Sequence, residues 1–184
     1  SGIPFGVTGE VLPQGKVYSP FIPFLYGMTD RWGHYGHPHH FWKLMDRYDL
    51  GNAEFFGYWD ADNPVRVKGA ESVKASVFRS KRAVVVVVAD FDFAYAKKTC
   101  SLDVDWKRIS PDRAVWTRPV IGDDQMAGAA DPTRVFVLDP DRDLQNRRPA
   151  GVIFALEEMR GGELAEVKAS SFGFDPADST AFLQ

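Results

Sequence analysis

The clearest pattern in the sequence is a pair of apolar segments that predict two neighbouring β-strands. Residues 72–79 alternate apolar and polar side chains, which is typical of a strand with one buried face. Residues 82–90 are almost entirely apolar and β-branched, which favours a central strand buried on both faces. The polar residues 80–82 predict a turn, so the two segments together predict a β-hairpin.

Further short strands are predicted along the second half of the chain. They lie at residues 101–106, 114–117, 134–138 and 151–156. Loops rich in Asp, Gly and Pro separate the later strands. This spacing of short strands and turn residues predicts an antiparallel β-sandwich.

The N-terminal part of the chain predicts a strand, a long loop and a helix. Residues 21–28 form a compact apolar run whose length and aromatic content favour a short buried strand. After a polar, glycine-punctuated loop, Pro38 is suited to a first helical position and Gly51 to the left-handed position that ends a helix. One apolar helix face is predicted by Phe41, Leu44, Met45 and Tyr48.

Composition and charge narrow the class of protein. The 184 residues are 45% apolar and 14% aromatic, which favours a soluble globular protein and excludes disorder throughout. The longest apolar run, 83–89, is too short for a transmembrane helix, and no membrane partner is expected. A formal net charge of −3 without a basic stripe makes nucleic acid an unexpected partner. The chain has no initiator Met, so we expect it to be processed, tagged or cut from a longer protein.

The loop before the predicted helix carries the candidate chemistry. A flat aromatic ring beside charged hydrogen-bonding groups suits a sugar, which has an apolar face and a rim of hydroxyls. We therefore predict that sugar is contacted by Asp30, Arg31, Trp32, His34, Tyr35 and His37. The alternative is that Trp32 and Tyr35 only pack the loop against the protein.

All four histidines lie within residues 34–40, so a metal site is one interpretation of this segment. Their spacing matches no zinc signature and no cysteine is nearby, so a polar loop that leads into a helix is favoured. No metal and no cofactor are expected. The acidic residues outside this loop lie in sequence contexts that do not indicate a catalytic pair. Glu157 and Glu158 are expected to be solvated. Cys100 is expected to lie in the core.

Several segments occur in an order that resembles a known family. Four of them are Gly27–Met28–Thr29, Trp42–Lys43–Leu44, Gly57–Tyr58–Trp59 and Asn63–Pro64–Val65. They are followed by segments similar to the family's sandwich hairpin (72–92), its "L-x-I-D-W" strand (100–109) and its closing strand (147–158). Over residues 20–158 the chain thus resembles bacterial proteins similar to glycoside hydrolase family 123, the β-N-acetylgalactosaminidase-like hydrolases.

The resemblance implies a C-terminal β-sandwich attached to a catalytic (β/α) barrel. It also implies substrate-assisted hydrolysis that uses an adjacent Asp–Glu pair, but this sequence has no Asp–Glu dipeptide, so its catalytic residues are unknown. We expect a mixed fold of three parts. They are a strand–loop–helix unit that resembles the end of a barrel (1–58), an antiparallel β-sandwich (59–160) and a tail (161–184).

The leading hypothesis is the C-terminal portion of a glycoside hydrolase-like, carbohydrate-active protein. Its expected partners are carbohydrate and either the rest of a catalytic barrel or another chain. An exported location, periplasmic or extracellular, is favoured. One alternative is a non-catalytic glycan-binding or assembly module, and a weaker alternative is a metal-dependent hydrolase that uses the histidines.

Overall fold

A computed structural model describes residues 21–28, 39–92, 96–110, 114–119, 128–139 and 151–158. Within these ranges the chain is mostly antiparallel β-structure with a few short helices. The helices are α1 (Phe21–Leu25), α2 (His39–Tyr48) and α3 (Trp106–Ile109). The strands are β1 (Glu54–Phe56), β2 (Val65–Lys68), β3 (Val73–Arg79), β4 (Ala83–Asp90), β5 (Lys98–Val104), β6 (Ala114–Thr117), β7 (Phe136–Leu138) and β8 (Gly151–Glu158).

The strands of the described ranges form two antiparallel sheets. The larger has the order β1-β3-β4-β8-β6, and the smaller has the order β2-β5-β7. Apolar side chains from one face of the larger sheet and from the smaller sheet share a single core. The expected antiparallel architecture is therefore confirmed, and the arrangement is consistent with a β-sandwich.

The predicted hairpin is confirmed as β3 and β4, which pair from Val73 opposite Asp90 to Arg79 opposite Val84. Every residue of β4 is buried, because β3 and β8 flank it and both of its faces are covered. Val84, Val86 and Val88 face the smaller sheet. The residues between them face α1 and α2. Each fully buried valine contributes roughly 1.5 kcal/mol or more, so this strand is a major source of stability.

The strand predicted at residues 21–28 is wrong, because this segment forms the short helix α1. Phe21, Phe24 and Leu25 lie three and four positions apart and are all buried, so a single helical turn places them on one face. Gly27, at φ 73°, ends the helix. The Gly27 N–H donates to the Phe24 carbonyl and the Met28 N–H to the Pro23 carbonyl, both at 3.0 Å, which is the Schellman pattern.

Helix α1 packs closely on the outer face of the larger sheet. A Cβ atom on Gly151, at the start of β8, would lie 2.5 Å from the ring of Phe21. The absence of a side chain at Gly151 therefore allows this close approach. The helix covers a face of the sheet that an isolated sandwich would leave to solvent.

Helix α2 covers the same face, and its predicted apolar side is confirmed. Phe41, Leu44 and Tyr48 are buried and Met45 is partly buried. The residue in the left-handed conformation is Asp49 (φ 54°) rather than Gly51, which lies inside a 3₁₀ turn, Leu50–Asn52. Asp49 is stabilised there because its Oδ1 accepts a hydrogen bond of 2.7 Å from the Asn52 amide. Pro38 lies outside the described residues.

The strands predicted at 101–106, 114–117, 134–138 and 151–156 are present, three of them with shifted ends, whereas the sequence pattern did not predict β1 and β2. β5 begins at Lys98 and ends at Val104, and the short helix α3 replaces the predicted end of this strand. Asp105 caps α3 by accepting from the Lys107 N–H at 3.2 Å. β1 belongs to the predicted unit 1–58, yet it pairs with β3 of the predicted sandwich. The tail 161–184 lies outside the described residues. The division at 58/59 stays a prediction.

Candidate functional site

The six residues predicted to contact sugar, Asp30, Arg31, Trp32, His34, Tyr35 and His37, lie outside the described residues. The described residues end at Met28 before this loop and begin again at His39 after it. No group of three or more His, Cys, Asp or Glu residues in the described ranges could hold a metal ion. No helix in the described part is long and apolar enough to span a membrane.

A group of aromatic side chains, two of them exposed, gathers around Tyr26, which precedes this loop in the chain. We call it the aromatic cluster, and it consists of Tyr26, Phe55, Tyr58, Trp59 and Phe91. Tyr26 stacks on Trp59 with ring centroids 5.5 Å apart and an angle of 25° between the rings. The two side chains are 38% and 53% exposed, so part of this aromatic surface faces solvent. Sequence reasoning singled out Trp32 and Tyr35 and missed this pair.

The turn that follows β1 holds Trp59 in position. The Gly57 N–H donates to the Asp60 carboxylate at 2.7 Å, and the Asp60 N–H donates to the Gly57 carbonyl at 3.0 Å. The indole folds back over Gly57, where a Cβ atom would lie 2.4 Å from the ring. Glycine at this position therefore allows the tryptophan to lie against the turn.

Asn63 ties the same turn to the larger sheet. Its amide nitrogen donates to the carbonyls of Gly57 and Ala75, both at 3.0 Å. Its amide oxygen accepts from the Val65 N–H at 2.8 Å. The side chain is buried, so these bonds satisfy groups that water cannot reach. This accounts for the Asn in the Asn63–Pro64–Val65 segment.

The other side of the aromatic cluster is fixed by Ser76 in the middle of β3. The Ser76 hydroxyl accepts a hydrogen bond of 3.0 Å from the Tyr58 N–H. It donates to the carbonyl of Leu25, the residue before Tyr26. One buried hydroxyl thus joins the two chain segments that carry Tyr26 and Tyr58.

The hydroxyls of Tyr26 and Tyr58 share a hydrogen bond of 3.0 Å. This bond is the main cause that raises the pKa of Tyr26 to about 12, and burial adds to it. Tyr26 therefore keeps its proton at neutral pH. The pair places two hydroxyls beside the exposed indole, and Phe91 contacts both tyrosine rings from the end of β4.

A family model described as glycoside hydrolase 123, C-terminal domain, matches residues 37–144, which is more than half of the chain. The chain belongs to this family. The resemblance found in the sequence is thus confirmed, and the family indicates a carbohydrate substrate. No curated protein and no solved structure matches the chain. The matched residues of this glycoside hydrolase 123 domain include Tyr58, Trp59 and Phe91 but not Tyr26.

Two acidic residues of the glycoside hydrolase 123 domain lie beside Phe91 and are engaged in an ion-pair network. The Asp90 side chain is fully buried, and its Oδ1 accepts from the Ser72 hydroxyl at 2.7 Å and from the Asp92 N–H at 2.9 Å. Lys98 pairs with Asp92 and lies 3.7 Å from the Asp90 Oδ2. The hydrogen bond to Asp92 is the main cause that raises the pKa of Lys98. These contacts indicate a structural role at the end of β4.

Glu157 is also held by protein contacts, which corrects the expectation that it is solvated. It accepts a hydrogen bond from the Tyr48 hydroxyl and lies 3.4 Å from the Arg47 guanidinium. Burial, and then the bond to Glu157, raise the pKa of Tyr48 well above its usual range. The contact ties α2 to β8.

The expectation for Cys100 is confirmed, since it is buried and burial raises the pKa of its thiol.

Proposed function

We propose that this chain is the C-terminal portion of a carbohydrate-active protein related to glycoside hydrolases, and that the aromatic cluster contacts sugar. The observation that carries the proposal is the exposed, stacked pair of Tyr26 and Trp59. Asp30 is four residues after Tyr26 in the chain, so we propose that the aromatic cluster and the loop 30–37 contact one sugar together.

The chemistry of the aromatic cluster suits a pyranose ring. The exposed indole of Trp59 offers an apolar face for the C–H groups of a sugar. The hydroxyls of Tyr26 and Tyr58, which lie 3.0 Å apart, can donate to or accept from sugar hydroxyls. A mostly apolar surface with a few fixed polar groups is the usual composition of a small-molecule site.

We further propose that the loop residues Asp30, Arg31, Trp32, His34, Tyr35 and His37 lie at the rim of a catalytic (β/α) barrel. In this proposal residues 1–58 form the end of that barrel, and α1, α2 and β1 also join it to the larger sheet. The catalytic acids come from the rest of the barrel or from another chain, since the sequence lacks the family's Asp–Glu pair. In the structure, the segment predicted as the strand of the unit 1–58 forms helix α1.

The test compares two exposed tryptophans of the same protein. Trp59→Ala removes the aromatic cluster's main exposed ring, whereas Trp106→Ala removes an indole on α3 that is 48% exposed and outside the cluster. We expect Trp59→Ala to raise KM for aryl glycosides by about tenfold in the complete protein, and Trp106→Ala to leave it unchanged. Equal effects of the two variants would contradict the site. Unchanged turnover in Trp32→Ala and His34→Ala would contradict the loop assignment alone.

A non-catalytic glycan-binding module is the second candidate function. It is favoured because Tyr26, Phe55, Tyr58, Trp59 and Phe91 all belong to this chain, whereas the adjacent Asp–Glu pair of the family is absent from the sequence. This candidate would be supported if the 184-residue chain binds glycan without hydrolysing it, and if the complete protein that contains the chain does not hydrolyse glycan either. Hydrolysis by the complete protein would favour the first proposal.

A further inference from the structure

A second concave site lies at the other end of β4 from the aromatic cluster. It has a volume of about 400 Å³ and is formed by the β3–β4 turn, the end of α3 and the end of β8. Its lining includes the small exposed parts of Val84, Ile109 and Leu156, whose side chains belong to the sandwich core. Phe91 of the aromatic cluster follows the far end of β4, about 25 Å away along the strand.

The rim of this pocket is basic, although the chain as a whole carries a net charge of −3. Its described lining includes the cations Arg79, Lys81 and Arg82 and the single carboxylate Glu158. The hydroxyls of Ser80 and Ser110 add neutral hydrogen-bonding groups. These three cations face two carboxylates, Glu158 and the Glu54 that pairs with Arg79, so the pocket keeps a small excess of positive charge that attracts small anions.

Both arginines of the rim are held in place by backbone oxygens. Arg79 donates to the carbonyl of Arg108 at 2.8 Å and pairs with Glu54. Arg82 donates through Nη1 to the carbonyls of Asp46 and Arg47, at 3.3 and 3.2 Å, at the end of α2. A guanidinium has five N–H donors, so Arg79 keeps donors for a ligand. The Arg82 guanidinium donates to the end of α2, on the opposite face of the larger sheet from Val84 and Leu156, so it contributes charge at the rim only.

We propose that this pocket binds an anionic group, a carboxylate or a sulfate ester, carried by a ligand of monosaccharide size. The Arg79 guanidinium can donate two N–H bonds to two oxygens of such an anion, and Lys81 adds a second positive charge. The volume lies in the range typical of small-molecule sites. The site is independent of the aromatic cluster, so either one can fail without the other.

The test titrates the full chain, labelled with ¹⁵N, with glucuronic acid, galactose 6-sulfate and neutral galactose. We expect the amide signals of residues 79–84 and 109–110 to shift with an anionic probe and to stay in place with galactose. The two anionic probes distinguish carboxylate from sulfate. Shifts of equal size with galactose, or none with either anion, would overturn the proposal.

Charge-matched variants make the test specific. Lys81→Gln is expected to weaken binding of the anion by about tenfold, because a charged hydrogen bond is lost. Lys97→Gln removes an exposed lysine that pairs with Asp139 beside the smaller sheet, and it should leave binding unchanged. Lys81→Glu reverses the charge and should abolish binding while the rest of the spectrum keeps its native positions. Unchanged binding in both Lys81 variants would overturn the proposal.

Discussion

The hydroxyl of Ser76 donates a hydrogen bond of 2.6 Å to the carbonyl of Leu25, the last residue of α1. Carbonyls in the last turn of a helix lack partners within the helix, so this bond completes the end of α1. Because Ser76 also accepts from the Tyr58 N–H, its side chain sets the spacing between Tyr26 and Tyr58. The geometry of the aromatic cluster therefore depends on a buried residue that a ligand does not reach.

Ser76→Ala is expected to lower the free energy of unfolding by about 2–3 kcal/mol, because the Leu25 carbonyl and the Tyr58 N–H lose their partner. Urea denaturation followed by circular dichroism measures this loss. Ser101→Ala, at a partly exposed position of β5, is the control and should cost less than about 0.5 kcal/mol. Equal losses in the two variants would mean that the hydrogen bonds of Ser76 are not important for stability.

Asn63→Asp is expected to destabilise the domain by about 3 kcal/mol or more. The change removes the donor to Gly57 and Ala75 and places a carboxylate beside their carbonyl oxygens. Thermal denaturation at neutral pH measures the effect. Asn52→Asp is a matched control, since its amide makes one exposed contact with Asp49, and it should cost less than about 1 kcal/mol. A native melting temperature for Asn63→Asp would contradict the role assigned to Asn63.

Gly57→Ala is expected to weaken sugar binding nearly as much as Trp59→Ala, although it leaves the indole in the protein. The new methyl group would lie 2.4 Å from the Trp59 ring, so the ring must leave the position in which it stacks on Tyr26. Binding affinity and tryptophan fluorescence measure this movement. In a Trp59→Ala background the glycine substitution should have no further effect on binding. An additive loss in the double variant would show that Gly57 acts through some other contact.

Tyr26 is expected to titrate near pH 12, above the ordinary value of 10.0, because its hydroxyl is bonded to that of Tyr58. The folded state holds this proton more tightly than the unfolded chain does. The stability that it contributes is therefore complete below pH 10 and is lost as the pH rises towards 12. Phenolate absorbance, with circular dichroism as a check on folding, follows the titration. Tyr58→Phe should return the midpoint of Tyr26 towards 10.0, and an unchanged midpoint would contradict this cause.

A fragment that begins at residue 59 tests the division predicted at 58/59. Such a fragment lacks α1, α2 and β1, so it exposes the apolar face that includes Phe78, Val85 and Ile153. We expect it to self-associate in size-exclusion chromatography, in contrast to the full chain. A monomeric fragment that unfolds as cooperatively as the full chain would instead support an independent sandwich.

The hairpin could be predicted from the sequence because its pattern is local. Alternation along β3 and the continuous valines of β4 identify strands without knowledge of their partners. The short apolar run at 21–28 fits either a strand or a helical turn, and periodicity alone does not distinguish them. Gly27 was the available signal, since a glycine after a short apolar run suits the left-handed position that ends a helix.

The candidate site could be predicted only in part. The sequence pattern placed aromatic chemistry near residue 30, but the stacking of Tyr26 on Trp59 joins segments more than thirty residues apart. The bond from Tyr48 to Glu157 joins residues 109 positions apart. Buried polar contacts of this kind depend on the final packing, so a local pattern does not contain them.

Because β4 is completely buried, the hydrogen–deuterium exchange of its amides measures the stability of the whole domain. Its amides are bonded to β3 and β8, and both of its faces are covered, so no local opening exposes them to solvent. Their hydrogen–deuterium exchange should therefore proceed only through global unfolding. The protection of Val85 and Val87 then reports the total unfolding free energy directly, in the native protein and without denaturant.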